Sequence, residues 1–182
     1  MRSSWSTWIT EQPVAAAGIA VALGGAATIA GAWFFEYVVG LAPCPLCLEQ
    51  RWPYYVAVPL AALLAVAAWR GAPRGLLVGG LAIIAVAMLW GAGLGAYHAG
   101  VEWNWWAGPQ DCSGAGFSGG SAATLLQQMR AARVVRCDEA AWRFLGLSLA
   151  GYNVLISLAL AATALAGIVA ALRRYGSSSV SQ

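Results

Sequence analysis

Hydrophobic positions in this chain come in long unbroken runs rather than at a helical or strand period, and short polar gaps separate them. Four runs stand out, at 14–35, 54–69 with its flanks, 75–97 and 144–172. A helix that crosses a bilayer needs about 20 mainly apolar residues. The first, third and fourth runs meet that length as they stand, and the second meets it if it begins near Leu48, giving a span of 48–69. The pattern therefore predicts an all-α integral membrane protein, a single four-helix bundle with both termini on one side. Two polar connectors, at about 36–53 and 98–143, lie on the other. The first run is long for the core of a signal peptide, and the bulky Trp33, Phe34, Phe35 and Tyr37 follow it in place of a small-residue cleavage site. It reads as a retained membrane helix. Small residues within the runs, Gly24-Gly25, Gly79-Gly80 and Gly91, Gly93 and Gly95, read as packing positions that let helices approach closely.

The second connector divides in three. Glu102-Trp103-Asn104-Trp105-Trp106 mixes aromatic and polar groups, the combination that settles at headgroup level. The stretch 109–120 is rich in Gly and Ser, contains Cys112 and reads as a mobile loop. From Ser121 to Arg136 the spacing turns helical, with Ala122, Leu125, Leu126, Met129 and Ala132 on one face. Arg133 and Arg136 intrude on that face, which suits a short interfacial helix with snorkelling arginines. A helix packed on a partner is the competing reading.

Composition agrees with the membrane reading: 60% of residues are hydrophobic and 9% charged, whereas a soluble domain carries about 25% charge. The net charge of +3 carries no nucleic-acid signal, because the chain has no Lys and its arginines are not interleaved with aromatics for base stacking. The arginines tie between faces, Arg2, Arg70, Arg74, Arg173 and Arg174 against Arg51, Arg130, Arg133, Arg136 and Arg143. The tight turn after Arg70 and the stop at Arg173-Arg174 suit a cytoplasmic face better than a long connector does. That orientation puts all four cysteines on the oxidising side, where disulfides persist.

The cysteines carry the chemistry. Cys44 and Cys47 form a C-x-x-C at the mouth of a helix, where the sulfurs lie close and backbone amides favour the attacking thiolate. Cys112 and Cys137 sit in the second connector, and a mobile Cys112 suits a thiol that must meet a separate protein. A zinc site built from all four thiols is disfavoured because the second pair is far apart in sequence. Two static disulfides are disfavoured because the tight C-x-x-C ring is more often redox-active.

Two segments, Pro43-Cys44-Pro45-Leu46-Cys47-Leu48-Glu49-Gln50-Arg51 and Cys137-Asp138-Glu139-Ala140-Ala141-Trp142-Arg143-Phe144-Leu145-Gly146-Leu147, resemble the disulfide bond formation protein B family of bacterial inner membranes. The likeness covers nearly the whole chain. It implies a thiol:quinone oxidoreductase with no metal, which reoxidises a periplasmic DsbA-like thioredoxin-fold protein and passes the electrons to ubiquinone or menaquinone. By the same resemblance the partner dithiol attacks Cys112, Cys137 exchanges onto Cys44, and Cys47 leaves as a thiolate facing the quinone. Arg51, one helical turn past Cys47, then stabilises thiolate and reduced quinone. Gln50 either caps the helix or hydrogen-bonds a quinone carbonyl. His98 matches a family histidine, either near the quinone ring or structural. A relay of the vitamin K epoxide reductase type usually has its C-x-x-C in the last helices, so the order here argues against it. A membrane scaffold with structural disulfides is the remaining alternative.

Overall fold

The computed structural model describes residues 12–109 and 136–178, with side chains to Arg174. Helix α1 spans Pro13–Trp33 and continues as a π-helical segment, Phe34–Val38. Helices α2 (Pro45–Glu49), α3 (Trp52–Trp69) and α4 (Arg74–Glu102) follow, then two short strands, β1 (Arg143–Phe144) and β2 (Leu147–Ser148), and the last helix, α5 (Leu149–Ser178). Proline opens α1, α2 and α3 within the first two positions, where its missing N–H removes no intrahelical bond. The α3–α4 turn closes as a Schellman motif. Gly71 takes φ +72° while the Ala72 N–H reaches Ala67 O and the Gly71 N–H reaches Ala68 O.

Four segments are long and apolar enough to cross a membrane, Pro13–Val38, Pro45–Trp69, Arg74–Glu102 and Leu149–Arg174. The expected four-helix membrane architecture is therefore present, with its boundaries moved. The second span begins at the C-x-x-C itself, because α2 leads into α3 with a single residue-scale offset at Gln50 and Arg51. The third runs past His98 to Glu102 and so holds both side chains on a helix. The fourth begins at Leu149 instead of Phe144, because 143–148 fold into a hairpin pairing Arg143 with Ser148 and Phe144 with Leu147. Its two-residue turn has Leu145 at φ 49° and Gly146 at φ +83°, the paired positive angles of a type I′ turn. The expected interfacial helix at 121–136 lies outside the described residues, apart from Arg136.

The bundle core is small and tightly interdigitated. Val21 on α1, Ala61 on α3, Leu81, Ile84 and Met88 on α4, and Ala161 and Ala164 on α5 are buried together. Leu23, Leu63, Ile83, Val86, Trp90 and Leu158 point outward and remain exposed. That inversion of the soluble pattern suits a lipid solvent, in which helices associate through close packing rather than hydrophobic exclusion. Gly18 illustrates the closeness: a Cβ there would sit 2.8 Å from Ala61 O. Not every predicted packing glycine is used so. Gly25, Gly80 and Gly95 face neighbours within 3.0 Å of a notional Cβ, whereas Gly79 and Gly93 face open space.

Candidate functional site

Cys44 is the N-cap of α2, with extended backbone (φ −76°, ψ 165°), and its sulfur accepts the Cys47 N–H at 3.3 Å. Pro45 at the first helical position fixes this entry. Three residues later the helix returns Cys47 to the same face, and the two sulfurs lie 2.8 Å apart as free thiols. Closing them to a disulfide takes less than about 1 Å of movement. Cys44 is buried and Cys47 half-buried. Hydrogen bonds converge on Cys44 Sγ and hold that thiol down to about 5. The Cys47 thiol contributes most, burial opposes it, and the His98 ring and the Cys47 amide add to the lowering. In the reduced pair the shared proton therefore sits on Cys47. In a Cys112→Ser/Cys137→Ser protein, thiolate absorbance should appear with a midpoint near pH 5 and stay on above it. A midpoint in the ordinary thiol range, about 8.5, would show that Cys44 is not stabilised as a thiolate.

His98 reaches this site from α4, with Nε2 3.7 Å from Cys44 Sγ. On the other side of the ring, Gln50 Nε2 lies 2.7 Å from His98 Nδ1 and also donates to Leu46 O at 3.2 Å. Gln50 Oε1 accepts from Asn153 Nδ2 at 2.8 Å, and Asn153 Oδ1 accepts from Tyr54 Oη at 2.7 Å. Ser157 Oγ lies 2.8 Å from the same Tyr54 hydroxyl. Asn153 can reach in because α4 and α5 approach closely at Gly91 and Gly95; it donates to Gly91 O at 3.3 Å. Glu102, one turn past His98, places Oε1 3.8 Å from Nε2, while its buried Oε2 has no hydrogen-bond partner among the described residues. Of the 102–106 stretch, Trp103, Trp105 and Trp106 are exposed, whereas Glu102 turns inward and is buried. Trp106 folds back to stack on Tyr97 and donates to Tyr97 O at 2.9 Å.

Arg51 does not stand alone beside the thiols. Its Nη1 pairs with Glu36 Oε2 at 2.6 Å, and the side chains are only 11% and 19% exposed. Glu36 is delivered by the π-helical segment at the end of α1. A cavity of about 580 Å³ opens among these groups, lined by Cys44, Cys47, Arg51, His98 and Glu102, with Phe35, Trp142 and Ile156 on its apolar walls. Its size lies within the range of small-molecule sites, and an apolar body with a few convergent polar groups is the usual composition of such sites. Arg51 and the His98 ring line the cavity with hydrogen-bonding groups, and the buried Glu102 Oε2, without a partner among the described residues, adds an acceptor.

Cys44, Cys47 and His98 also place three ligand-type atoms within 4.8 Å of one another. Two features argue against a metal there. Sulfurs bound to one zinc ion stand about 3.7 Å apart, as tetrahedral bonds of about 2.3 Å require, and here they are much closer. The Gln50 donor at Nδ1 also leaves the ring proton on Nε2, which then has no lone pair for an ion.

Of the second cysteine pair, Cys137 is described and Cys112 lies outside the described residues. Cys137 is 1% exposed, disulfide-bonded, and packed in one buried cluster with Cys44, Leu46 and Val101, against which Cys47 also rests. The structure thus brings together Cys44, Cys47, Cys137, Gln50, Arg51 and His98 of the predicted site. It adds Glu36, Tyr54, Glu102 and Asn153, which the sequence reading had not singled out. Arg136 pairs with Asp138 and Glu139 at the edge of the cavity.

The family model described as disulfide bond formation protein DsbB matches residues 15–167. Among curated relatives, disulfide bond formation protein B of Albidiferax ferrireducens is 33% identical over 152 residues, covering 77% of this chain and 83% of the relative. That of Marinobacter nauticus is 32% identical over 159 residues, covering 82% and 87%. That of a Polaromonas species is 29% identical over 146 residues, covering 78% and 82%. No solved structure matches. With four helices able to span a membrane and a C-x-x-C at their mouth, this multi-pass membrane protein belongs to the DsbB family of disulfide bond formation proteins.

Proposed function

We propose that the protein is a thiol:quinone oxidoreductase that reoxidises a periplasmic thioredoxin-fold dithiol protein and hands the electrons to membrane ubiquinone or menaquinone. The observation that carries this reading is the joining of Cys137 to the Cys44–Cys47 pair in one buried cluster, beside a cavity that holds Arg51 and His98. The partner thiolate attacks Cys112, and Cys137, released from its disulfide, attacks Cys44 of the Cys44–Cys47 disulfide and releases Cys47 as a thiolate. Attack of the partner's second thiolate on the mixed disulfide frees the partner oxidised. Two electrons then reside on the Cys44–Cys47 pair once Cys112 has displaced Cys44 from Cys137. Closing the Cys44–Cys47 bond from this thiolate and thiol gives up two electrons together with the Cys47 proton, and the two sulfurs already lie 2.8 Å apart. A bound quinone would accept the two electrons, the Cys47 proton and a second proton from water. Arg51 and His98 would hold its head, with Glu102 Oε2 as the nearby proton-accepting oxygen.

The direct test supplies purified protein with a reduced thioredoxin-fold dithiol and a short-chain ubiquinone and follows quinone absorbance. Stoichiometric loss of dithiol and quinone is expected. Oxidation of the dithiol with no quinone consumed would exclude this reading.

Orientation follows from the same proposal, with termini in the cytoplasm of a bacterial inner-membrane protein and both cysteine connectors in the periplasm. A membrane-impermeant thiol reagent should label reduced Cys112 on intact spheroplasts. Labelling only after lysis would reverse the topology.

A further inference from the structure

The polar groups behind His98 form a chain whose hydrogens all point one way. Two backbone carbonyls, which can only accept, fix the sense of the chain. Asn153 Nδ2 faces Gly91 O at 3.3 Å, so its amide nitrogen is the donor toward Gln50 Oε1. Gln50 Nε2 faces Leu46 O at 3.2 Å, so its amide nitrogen is in turn the donor toward His98 Nδ1. At the far end Tyr54 donates to Asn153 Oδ1, which leaves its own oxygen to accept from Ser157. A neutral imidazole that accepts at Nδ1 carries its proton at Nε2. That nitrogen faces Cys44 Sγ at 3.7 Å and Glu102 Oε1 at 3.8 Å. All five of these residues, Gln50, Tyr54, His98, Asn153 and Ser157, lie within spans, where polar side chains are costly unless they serve a purpose.

We infer that the amide pair Gln50–Asn153 is a positioning device that sets the tautomer of His98, holding the ring proton on Nε2 between the Cys44 sulfur and the Glu102 carboxylate. Neither amide touches the reacting sulfurs; both act through the ring. An Nε2–H in that place can donate a hydrogen bond to the Cys44 thiolate when the pair is reduced and turn that hydrogen bond toward Glu102 when Cys44 becomes a disulfide sulfur. The inference gains its use from the proposed relay, but the tautomer exists without quinone or partner and is measured without them. Failure of electron transfer and failure of this inference are therefore separate results.

The chain contains one histidine, so isotope-labelled histidine gives a single ring in nitrogen NMR. In the reduced, otherwise unmodified protein the Nε2 signal should be of the protonated type and Nδ1 of the bare type. Gln50→Glu keeps the acceptor for Asn153 but turns an oxygen toward Nδ1, and should move a proton onto Nδ1. Asn153→Leu removes one of the two groups that hold the Gln50 amide, leaving Leu46 O, and should give a measurable population of the Nδ1-protonated ring. Should Asn153→Leu fail to fold, Asn153→Ser, too short to reach Gln50, serves the same purpose. A wild-type ring protonated on Nδ1 overturns the inference. So does a Gln50→Glu protein, or an Asn153 variant, whose ring signals match wild type.

Discussion

Cys44→Ser should reduce quinone turnover to background while the Cys137 disulfide remains reducible by the partner dithiol. Serine keeps the size of the residue and its N-cap role, since its oxygen still accepts the Cys47 N–H. In the proposed relay it removes the sulfur that Cys137 attacks and that must close onto Cys47. The fold should survive and the chemistry should stop, which separates this effect from simple misfolding. Cys137→Ser should stop the relay one step earlier and accumulate a mixed disulfide between the partner and Cys112. The packing of Cys137 with Cys44 makes this order concrete, because exchange between them needs no journey through solvent. Appreciable quinone reduction by either variant would exclude a relay in the order Cys112, Cys137, Cys44.

Much of this architecture could be read before any coordinates, and the reason is physical. A bilayer forces each crossing segment to satisfy its own backbone, so a span announces itself as a long apolar run whatever its neighbours do. The C-x-x-C was equally plain, since a spacing of three on a helix start returns both sulfurs to one face. Boundaries were less plain because they depend on local turns. The apolar stretch from Phe144 looked like helix, yet Leu145 and Gly146 adopt positive φ and bend it into a hairpin first. The polar partners were least plain. Asn153 and Glu102 are far from the C-x-x-C in sequence, Glu36 precedes it on a different helix, and a run of hydrophobic letters gives no hint of which way one Asn points. The available signal was position: an Asn inside a span, and an acid one turn past the only His, are unusual enough in a chain with 9% charged residues to merit a partner. Gln50 shows the reverse case. The sequence left it open between a helix cap and a quinone contact, and its amide hydrogens go to the helix carbonyl Leu46 O and to His98.

Arg51→Ala should raise the KM for quinone about tenfold or more, the loss expected for one hydrogen bond from a charged donor. Dithiol exchange at Cys112 should be nearly unchanged. The ion pair with Glu36 complicates this simple variant, because removing one partner of a buried pair leaves the other charge uncompensated, at about 3–5 kcal/mol. Loss of activity in Arg51→Ala alone could therefore come from an exposed need of Glu36 for a counter-ion. The double variant Glu36→Gln/Arg51→Ala resolves the two roles, because it removes both charges and so restores stability. If Arg51 contacts the quinone, the double variant should regain thermal stability and keep the raised KM. Arg51→Lys should recover part of the affinity, since it keeps the charge but loses the planar fork that can grip a carboxylate and a carbonyl together. Steady-state kinetics with quinone and dithiol varied separately, beside thermal unfolding in the same detergent, give both readouts. A double variant with wild-type KM would assign Arg51 to neutralising Glu36 and leave the quinone head to His98 and Glu102.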